Sequence, residues 1–473
     1  MLNSLHGVQS AQPAPWRFSS RLQLIINIAG VLLLVSAPFW LHELFGIYEE
    51  DTSISLFAAA ATVGLILVVN YVVILLCTRH HPALRQLMTV AFLAKVAAAG
   101  LYISMVVRLY NYAADMPHYF YLAQGYATNY QQLGVLTFPT PFFGTDFVPF
   151  LAQCLFVVTG ISMPVAMIIF ALMAFWGAFF IYRAFGIGFP EASRVDLLAT
   201  LVFLMPSCVF WTASVSKDAV VMLGSGLAAY GFARVHQHIN LQGYLFLAAG
   251  LGIVMSVRPH MAGILAVALI FPYVFGGHRT GIRGLAMKII GLPALAALML
   301  LFVSRAETYV EIKDVSEGKS AVMHVARNNA MGGSIYGGSL ASRLTLAPFL
   351  LIRPFPFEVH NAQAAFASLE GMGLLLLFWR RRRVLYATLR KMRSNPFAMF
   401  LALYAVEFTI IYAAATTNFG LLNRQRVMLI PFVVMLFLGD SRLEQRVLRV
   451  PMPTLRRRRP LVAAGVRSPV TVK

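Results

Sequence analysis

Apolar runs of roughly twenty residues, free of alternation and nearly free of charge, recur along this chain and decide its fold class. Lipid offers no partner to a backbone N–H or C=O, so a crossing segment must be a helix or part of a closed barrel, and barrel strands are short and alternating. The runs lie at 22–46, 55–78, 87–109, 163–182, 196–214, 218–235, 244–257, 261–277, 285–304, 363–379, 397–415 and 427–439. They predict an all-α polytopic membrane protein with roughly twelve transmembrane helices, the short runs 244–257 and 427–439 extending into their flanks or tilting. Composition agrees: 59% hydrophobic residues, 12% charged residues and a mean hydropathy of +0.73 exclude a water-soluble surface.

The net charge of +20 invites a nucleic-acid reading. The basic residues, however, sit in short clusters between apolar runs and in the tail Arg456 to Arg459, which is how a membrane protein sets its orientation. The expected partner is the lipid bilayer, including its anionic headgroups, and not nucleic acid. Arg17 and Arg21, Arg79 and Arg85, Arg183 and Arg194, Arg234, Arg279 and Arg283, Arg380 to Arg383 and the tail share the cytoplasmic side only if the apolar run 147–160 does not cross. That run is therefore expected as an interfacial or re-entrant helix on the outer face. The chain divides into a cytoplasmic N-terminus 1–21, a transmembrane domain 22–440 with outer loops 110–162 and 305–362, and a basic, disordered cytoplasmic tail 441–473. The first run is long enough to be a retained helix and not a signal peptide. Cys77, Cys154 and Cys208 have neither disulfide nor metal-ligand spacing, so no metal site is assigned.

This threading gathers the polar chemistry at the outer helix ends. Asp115 lies just beyond the third run, where partial desolvation suits a general base, although a solvated loop acid is the plainer alternative. At the same depth come Ser214-Val215-Ser216-Lys217-Asp218, Arg258-Pro259-His260, Arg353 through Glu358 and His360-Asn361, and Asn423-Arg424-Gln425-Arg426. Charge in tight turns between apolar runs is costly unless used. Lys217, Arg258, Arg353, Arg424 and Arg426 suit a lipid-borne phosphate or pyrophosphate, with Glu358 orienting Arg353 and with Tyr119, Asp218 and His360 in the same lining. External loop charge with snorkelling side chains is the rival explanation. His260 or His118 is placed to assist as an acid or hydrogen-bond donor. Asp146 is either a second catalytic carboxylate or the N-cap of the interfacial helix, a place for which Thr145 competes. Lys95, Glu407 and Glu370 lie in or near apolar runs, either neutralising one another or marking an ion path. Glu307, Glu311, Asp314 and Glu317 precede a Gly-rich stretch read as a closing loop or a linker. No Walker loop, zinc motif or nucleophile elbow is present, which argues against nucleotide hydrolysis.

Taken in order, Asp115-x-x-x-Tyr119, the Gly144-Thr145-Asp146-Phe147 run, Pro206-Ser207 with Phe210-Trp211, Ser216-Lys217-Asp218, Arg258-Pro259-His260, Arg353 to Glu358 and Asn423 to Arg426 carry a resemblance. Over most of residues 100–440 the chain resembles a bacterial family of multi-spanning polysaccharide-biosynthesis membrane proteins, and more distantly the GT-C glycosyltransferases. The resemblance implies a polyprenyl-phosphate or diphosphate sugar donor, a saccharide or lipid-linked acceptor, and work at the non-cytoplasmic face of the bacterial cytoplasmic membrane. It gives Asp115 the role of base at the acceptor hydroxyl. The common GT-C form has adjacent acids in this loop. Here Met116 follows Asp115, which leaves metal dependence undecided: no cofactor is assigned, and a divalent metal is one the resemblance allows. The function expected is a membrane glycosyltransferase in cell-surface polysaccharide synthesis. Its rivals are a polysaccharide polymerase or ligase, which would depend on the arginines and a histidine, and a transporter or flippase for lipid-linked sugars, for which Lys95 and Glu407 speak.

Overall fold

The computed structural model describes residues 20–46, 53–140, 142–192, 195–237, 240–275 and 339–439, with positions 289, 293 and 297, and among these no strand forms. The α-helices follow as α1 (Ser20–Val35), α2 (Ala37–Gly46), α3 (Leu56–Cys77), α4 (Pro82–Arg108), α5 (Asp115–Leu133), α6 (Phe147–Thr159), α7 (Met163–Gly188), α8 (Val195–Leu204) and α9 (Pro206–Phe210). Then come α10 (Lys217–Gln237), α11 (Leu241–Val257), α12 (Pro259–Phe275), α13 (Leu340–Thr345), α14 (Ala362–Arg390), α15 (Pro396–Ala415), α16 (Phe419–Gln425) and α17 (Ile430–Leu438).

Local sequence sets the helix ends. Ser55 accepts from Ala58 N at the start of α3, Asn240 from Gly243 N at α11, and Asn361 from Ala364 N at α14. Asn395 accepts from Phe397 N and Ala398 N, with Pro396 opening α15, where its missing N–H costs nothing. Gly134, at φ 70°, closes α5 in the left-handed conformation.

Five helices, α3, α4, α7, α14 and α15, are long and apolar enough to cross a membrane. Two bent pairs raise the number to seven if each counts as one span: α1 with α2 at 52°, and the segment Phe419–Met428 with α17 at 53°. The run 22–46 is thus two helices broken at Ser36, and 196–214 breaks where Pro206 starts a new helix. The first long loop holds more order than its composition suggests. Run 147–160 forms α6, but α5 precedes it, burying Met116, Phe120, Ala123 and Ala127 at helical spacing while its other face stays polar. The expected span 285–304 apart from positions 289, 293 and 297, the acidic and Gly-rich part of the second loop, Arg279, Arg283, the tail and the N-terminal segment lie outside the described residues.

The core is a layer in which α10 lies between α7 and α11. Without a hydrophobic drive between helices in lipid, close packing comes from small residues. A Cβ on Gly226 would stand 2.3 Å from Gly177 O, and one on Gly250 would stand 2.3 Å from Ala228 N. Backbones touch directly here, and this fixes where the start of α10 sits.

Intramembrane charge is absorbed by the α8–α9 break. Lys95 donates to Cys208 O at 2.9 Å, to Val209 O at 3.0 Å and to the Thr212 hydroxyl, at the C-terminal end of α9. At the other end Glu370 accepts from Ser207 N at 3.1 Å and from the Ser207 hydroxyl at 2.5 Å. A cation at the C-terminus and a carboxylate at the N-terminus complement the helix dipole and satisfy the backbone groups freed by the break. Lys95 and Glu370 therefore meet through the ends of a short helix, not face to face, and Glu407 stands apart from them.

Candidate anion site at one end of the bundle

The C-terminal ends of α4, α11 and α15 and the N-terminal ends of α5, α10, α12 and α14 converge around α16. Short connections with definite causes bring them there. Arg258 is the only residue between α11 and α12. The following Pro259 forbids it a helical conformation, and its φ of −139° and ψ of 81° turn its side chain back over α10. The α4–α5 link is longer, residues 109–114, and turns through Asn111 and Tyr112, both at positive φ, with Asp115 the first residue of α5. Gly144, at φ 99°, donates its N–H to Ser256 O at 2.8 Å and ties the α5–α6 loop to the end of α11.

Four charges then line up in alternation. Arg424 of α16 donates from Nη1 to Asp115 Oδ2 at 2.5 Å and from Nε to Asp218 Oδ2. Asp218 Oδ1 forms an ion pair with Arg258 Nη2 at 2.8 Å. Asp218 is wholly buried, whereas the Asp115 side chain is 50% exposed. Asp218 thus fixes two guanidinium groups, and Asp115 is the accessible end of the chain. Both carboxylates occupy the first turn of a helix, where the dipole favours their charge.

Lys217 sits beside this row, donating to Thr145 Oγ1 at 2.8 Å with Nζ 6.0 Å from the centre of the buried Tyr119 ring. Burial alone would raise the Asp115 pKa, but Arg424, Lys217 and Arg258 outweigh it and hold the carboxyl below its ordinary value. Burial pushes the Tyr119 hydroxyl well up, aided by the Asp115 charge, so it stays protonated as a hydrogen-bond donor. His260 is exposed at the start of α12, its Nε2 3.4 Å from the Tyr412 hydroxyl.

The remaining predicted residues form a second group on the other side of α16. Arg353 Nε lies 3.1 and 3.2 Å from the two Glu358 oxygens, its guanidinium 5.0 Å from the centre of the Phe419 ring. Glu358 orients Arg353 as the sequence suggests, and it also accepts from Phe355 N at 2.7 Å. His360 Nδ1 contacts Glu358 O at 3.0 Å. Arg426 is completely buried and donates to Leu351 O at 3.3 Å, Arg353 O at 3.0 Å and Ala367 O at 3.2 Å, with Glu370 at 3.7 Å. It locks the 350s turn and α14 to α16. Asp146 stands at the N-cap position of α6 but accepts no cap hydrogen bond, and it faces Tyr126 of α5.

Sequence reasoning passed over Tyr412 and Tyr102. Tyr412 stacks on Phe408 at 4.0 Å, an i, i+4 aromatic pair that is visible as a pattern on α15. Tyr102 packs 5.4 Å from Phe210 and 6.3 Å from Trp211, the aromatic pair already singled out between Pro206 and Ser216.

Three cations, Lys217, Arg258 and Arg424, against two carboxylates, one of them accessible, leave this end of the bundle with an excess of positive charge. The two carboxylates of the row share one guanidinium between them, and among the described residues no three His, Cys, Asp or Glu side chains gather as a metal-holding group. Comparison with known protein families, curated proteins and solved structures finds no match to this chain.

Proposed function

We propose that the protein is a membrane glycosyltransferase of GT-C-like architecture that moves a sugar from a polyprenyl-phosphate or diphosphate donor to an acceptor at the non-cytoplasmic face of a bacterial cytoplasmic membrane. The observation that carries this reading is the Asp115–Arg424–Asp218–Arg258 row with Lys217 beside it: a carboxylate and an anion site within one side chain of each other. In the reaction Asp115 takes the proton of the acceptor hydroxyl, the acceptor oxygen bonds to the anomeric carbon, and the bond from that carbon to the phosphate oxygen breaks. The leaving oxygen keeps the electron pair, and Lys217, Arg258 and Arg424 stabilise its charge. Arg353 and Arg426, turned to the other side of α16, support the site from behind.

Chain direction favours this sidedness. The helices whose ends meet at the site carry their basic runs at the far end, at Arg234 of α10 and at Arg380 to Arg383 of α14, and Arg183 of α7 acts on Cys77 and His81 at the α3–α4 turn. Positive residues on the far side make it the cytoplasmic one. Counting α10, the shorter helices α8 with α9, α11 and α12, and the run 285–304 brings the spans to roughly twelve, with α6 at the outer interface. A transport reading would rest on intramembrane charge, and Lys95 is held by backbone oxygens of α9.

The test is transfer of labelled sugar from a polyprenyl-linked donor pool to acceptor by the purified chain in lipid. Transfer supports the reading. Movement of intact lipid-linked sugar across sealed vesicles without transfer would replace it with the flippase reading.

A further inference from the structure

Asp115 and Asp218 share Arg424, but they are not equivalent. Each oxygen of the buried Asp218 faces its own arginine, Arg258 on Oδ1 and Arg424 on Oδ2, so this carboxylate is a fixed counter-ion. Asp115 meets Arg424 through Oδ2 alone, from an accessible position at the start of α5. A carboxylate oxygen on a guanidinium nitrogen is the same contact a phosphate oxygen makes. From the elements around it, Asp115 faces Arg424 of α16, Lys217 and Asp218 of α10, Arg258 between α11 and α12, and Tyr102 of α4 and Tyr119 of its own helix.

Resting on the glycosyltransferase reading for its biological setting, we infer that Asp115 is an internal occupant of the anion site: a diphosphate displaces it from Arg424, and the same displacement frees the carboxylate to act as base. The coupling explains how one residue can be tied up at rest and basic at the right moment. It also sets the ligand class. With Asp115 displaced, Lys217, Arg258 and Arg424 face Asp218 alone, an excess of two positive charges. That matches a diphosphate, which carries two negative charges as a diester and more as a monoester, better than a phosphodiester, with one.

The test is a binding cycle that needs no catalysis. The affinity of the full chain in neutral-lipid nanodiscs is measured for soluble pyrophosphate and for a polyprenyl diphosphate, in the native protein, Asp115→Asn, Arg424→Gln and the double variant. Displacement predicts that Asp115→Asn tightens binding about tenfold with Arg424 present and less than about twofold without it, since the competition exists only through that guanidinium. Equal gains in both backgrounds would show that Asp115 acts only through its field and would overturn the proposal, as would unchanged or weaker binding by Asp115→Asn. If Arg424→Gln does not fold, Arg424→Lys carries the same cycle, because a single ammonium cannot span both carboxylates as the fork does. Gains for both ligands place recognition in the diphosphate itself. Gains confined to the lipid ligand keep the displacement and add the chain as part of recognition. The expected binding pattern without sugar transfer would retire the enzymatic reading and the base role with it, and leave the displacement of Asp115 by the diphosphate standing.

Discussion

Arg424 reaches Asp115 and Asp218 with different nitrogens of one guanidinium, pinning the first turn of α5 to the first turn of α10. The two partners should therefore respond to mutation unequally, since one is buried and the other half open.

Asp218→Asn leaves Arg258 and Arg424 crowded together in a dry environment without their counter-ion. A loss of about 3 to 5 kcal/mol in stability is expected, as for other broken buried pairs. Asp115→Asn should melt close to the native protein, because exposed pairs contribute little. Thermal melts in the same detergent check both. Equal destabilisation by the two variants would mean that Asp115 has a structural role.

Arg426→Lys should behave as a core lesion. A lysine cannot span the carbonyls of Leu351, Arg353 and Ala367 as the guanidinium does, and the loss should be about 2 to 3 kcal/mol, read as a lower melting temperature. Binding of anionic headgroup by the folded fraction should be unchanged. Weaker headgroup binding at constant stability would return Arg426 to the ligand site.

The division between Arg424 and Arg426 shows where sequence reading stops. From sequence both suit phosphate, because both lie in the polar stretch Asn423 to Arg426. Residues two apart on a helical turn point to nearly opposite sides, so one meets Asp115 while the other is enclosed against α14. That distinction depends on α16 being helical in a segment too short to show a period. Similarly, Lys95 is visible as a charge in an apolar run, but two of its three acceptors are backbone oxygens, which leave no mark in side-chain identity. Arg258 was legible together with its cause, since Pro259 dictates the break that aims it. The apolar runs gave most helices. They missed α5, whose buried face is small and aromatic residues amid polar ones.

Gly226 tests the packing that holds Lys217 and Asp218 in place. Gly226→Val puts side-chain atoms into the α7 backbone at Gly177 and should cost about 3 kcal/mol or more, appearing as aggregation or a broad profile in size-exclusion chromatography. Gly252→Ala on α11 has open space around it and should be neutral or stabilising by up to about 1 kcal/mol. A well-folded Gly226→Val protein would contradict the close approach of α7 and α10.

The pH response of Asp115 follows from its cationic surroundings. Its folded pKa is held below the unfolded value by Arg424 first, then Lys217 and Arg258, against the opposing effect of burial. The ion pair is therefore complete above the unfolded value, about 3.9, and is lost only as pH falls through the lower folded value. The contribution of this residue to the melting temperature, small for a half-exposed pair, should be constant between about pH 5 and 8, and only below about pH 4 should the native protein and Asp115→Asn converge. Convergence near pH 6 would mean that the carboxyl is not held by its neighbours.

The central claim is that Asp115 is the base of a sugar transfer whose leaving group is held by the arginines and lysine around it. It is tested most directly by comparing transfer of labelled sugar from a polyprenyl-linked donor by the native protein and Asp115→Asn in lipid, with melting temperatures confirming that both are folded. The account predicts transfer by the native chain and a fall of about 100-fold or more in the variant, with headgroup binding retained or tightened. Transfer at the native rate by folded Asp115→Asn would contradict it, removing Asp115 from the chemistry and shifting the reaction to the polymerase type, which depends on the arginines and His260.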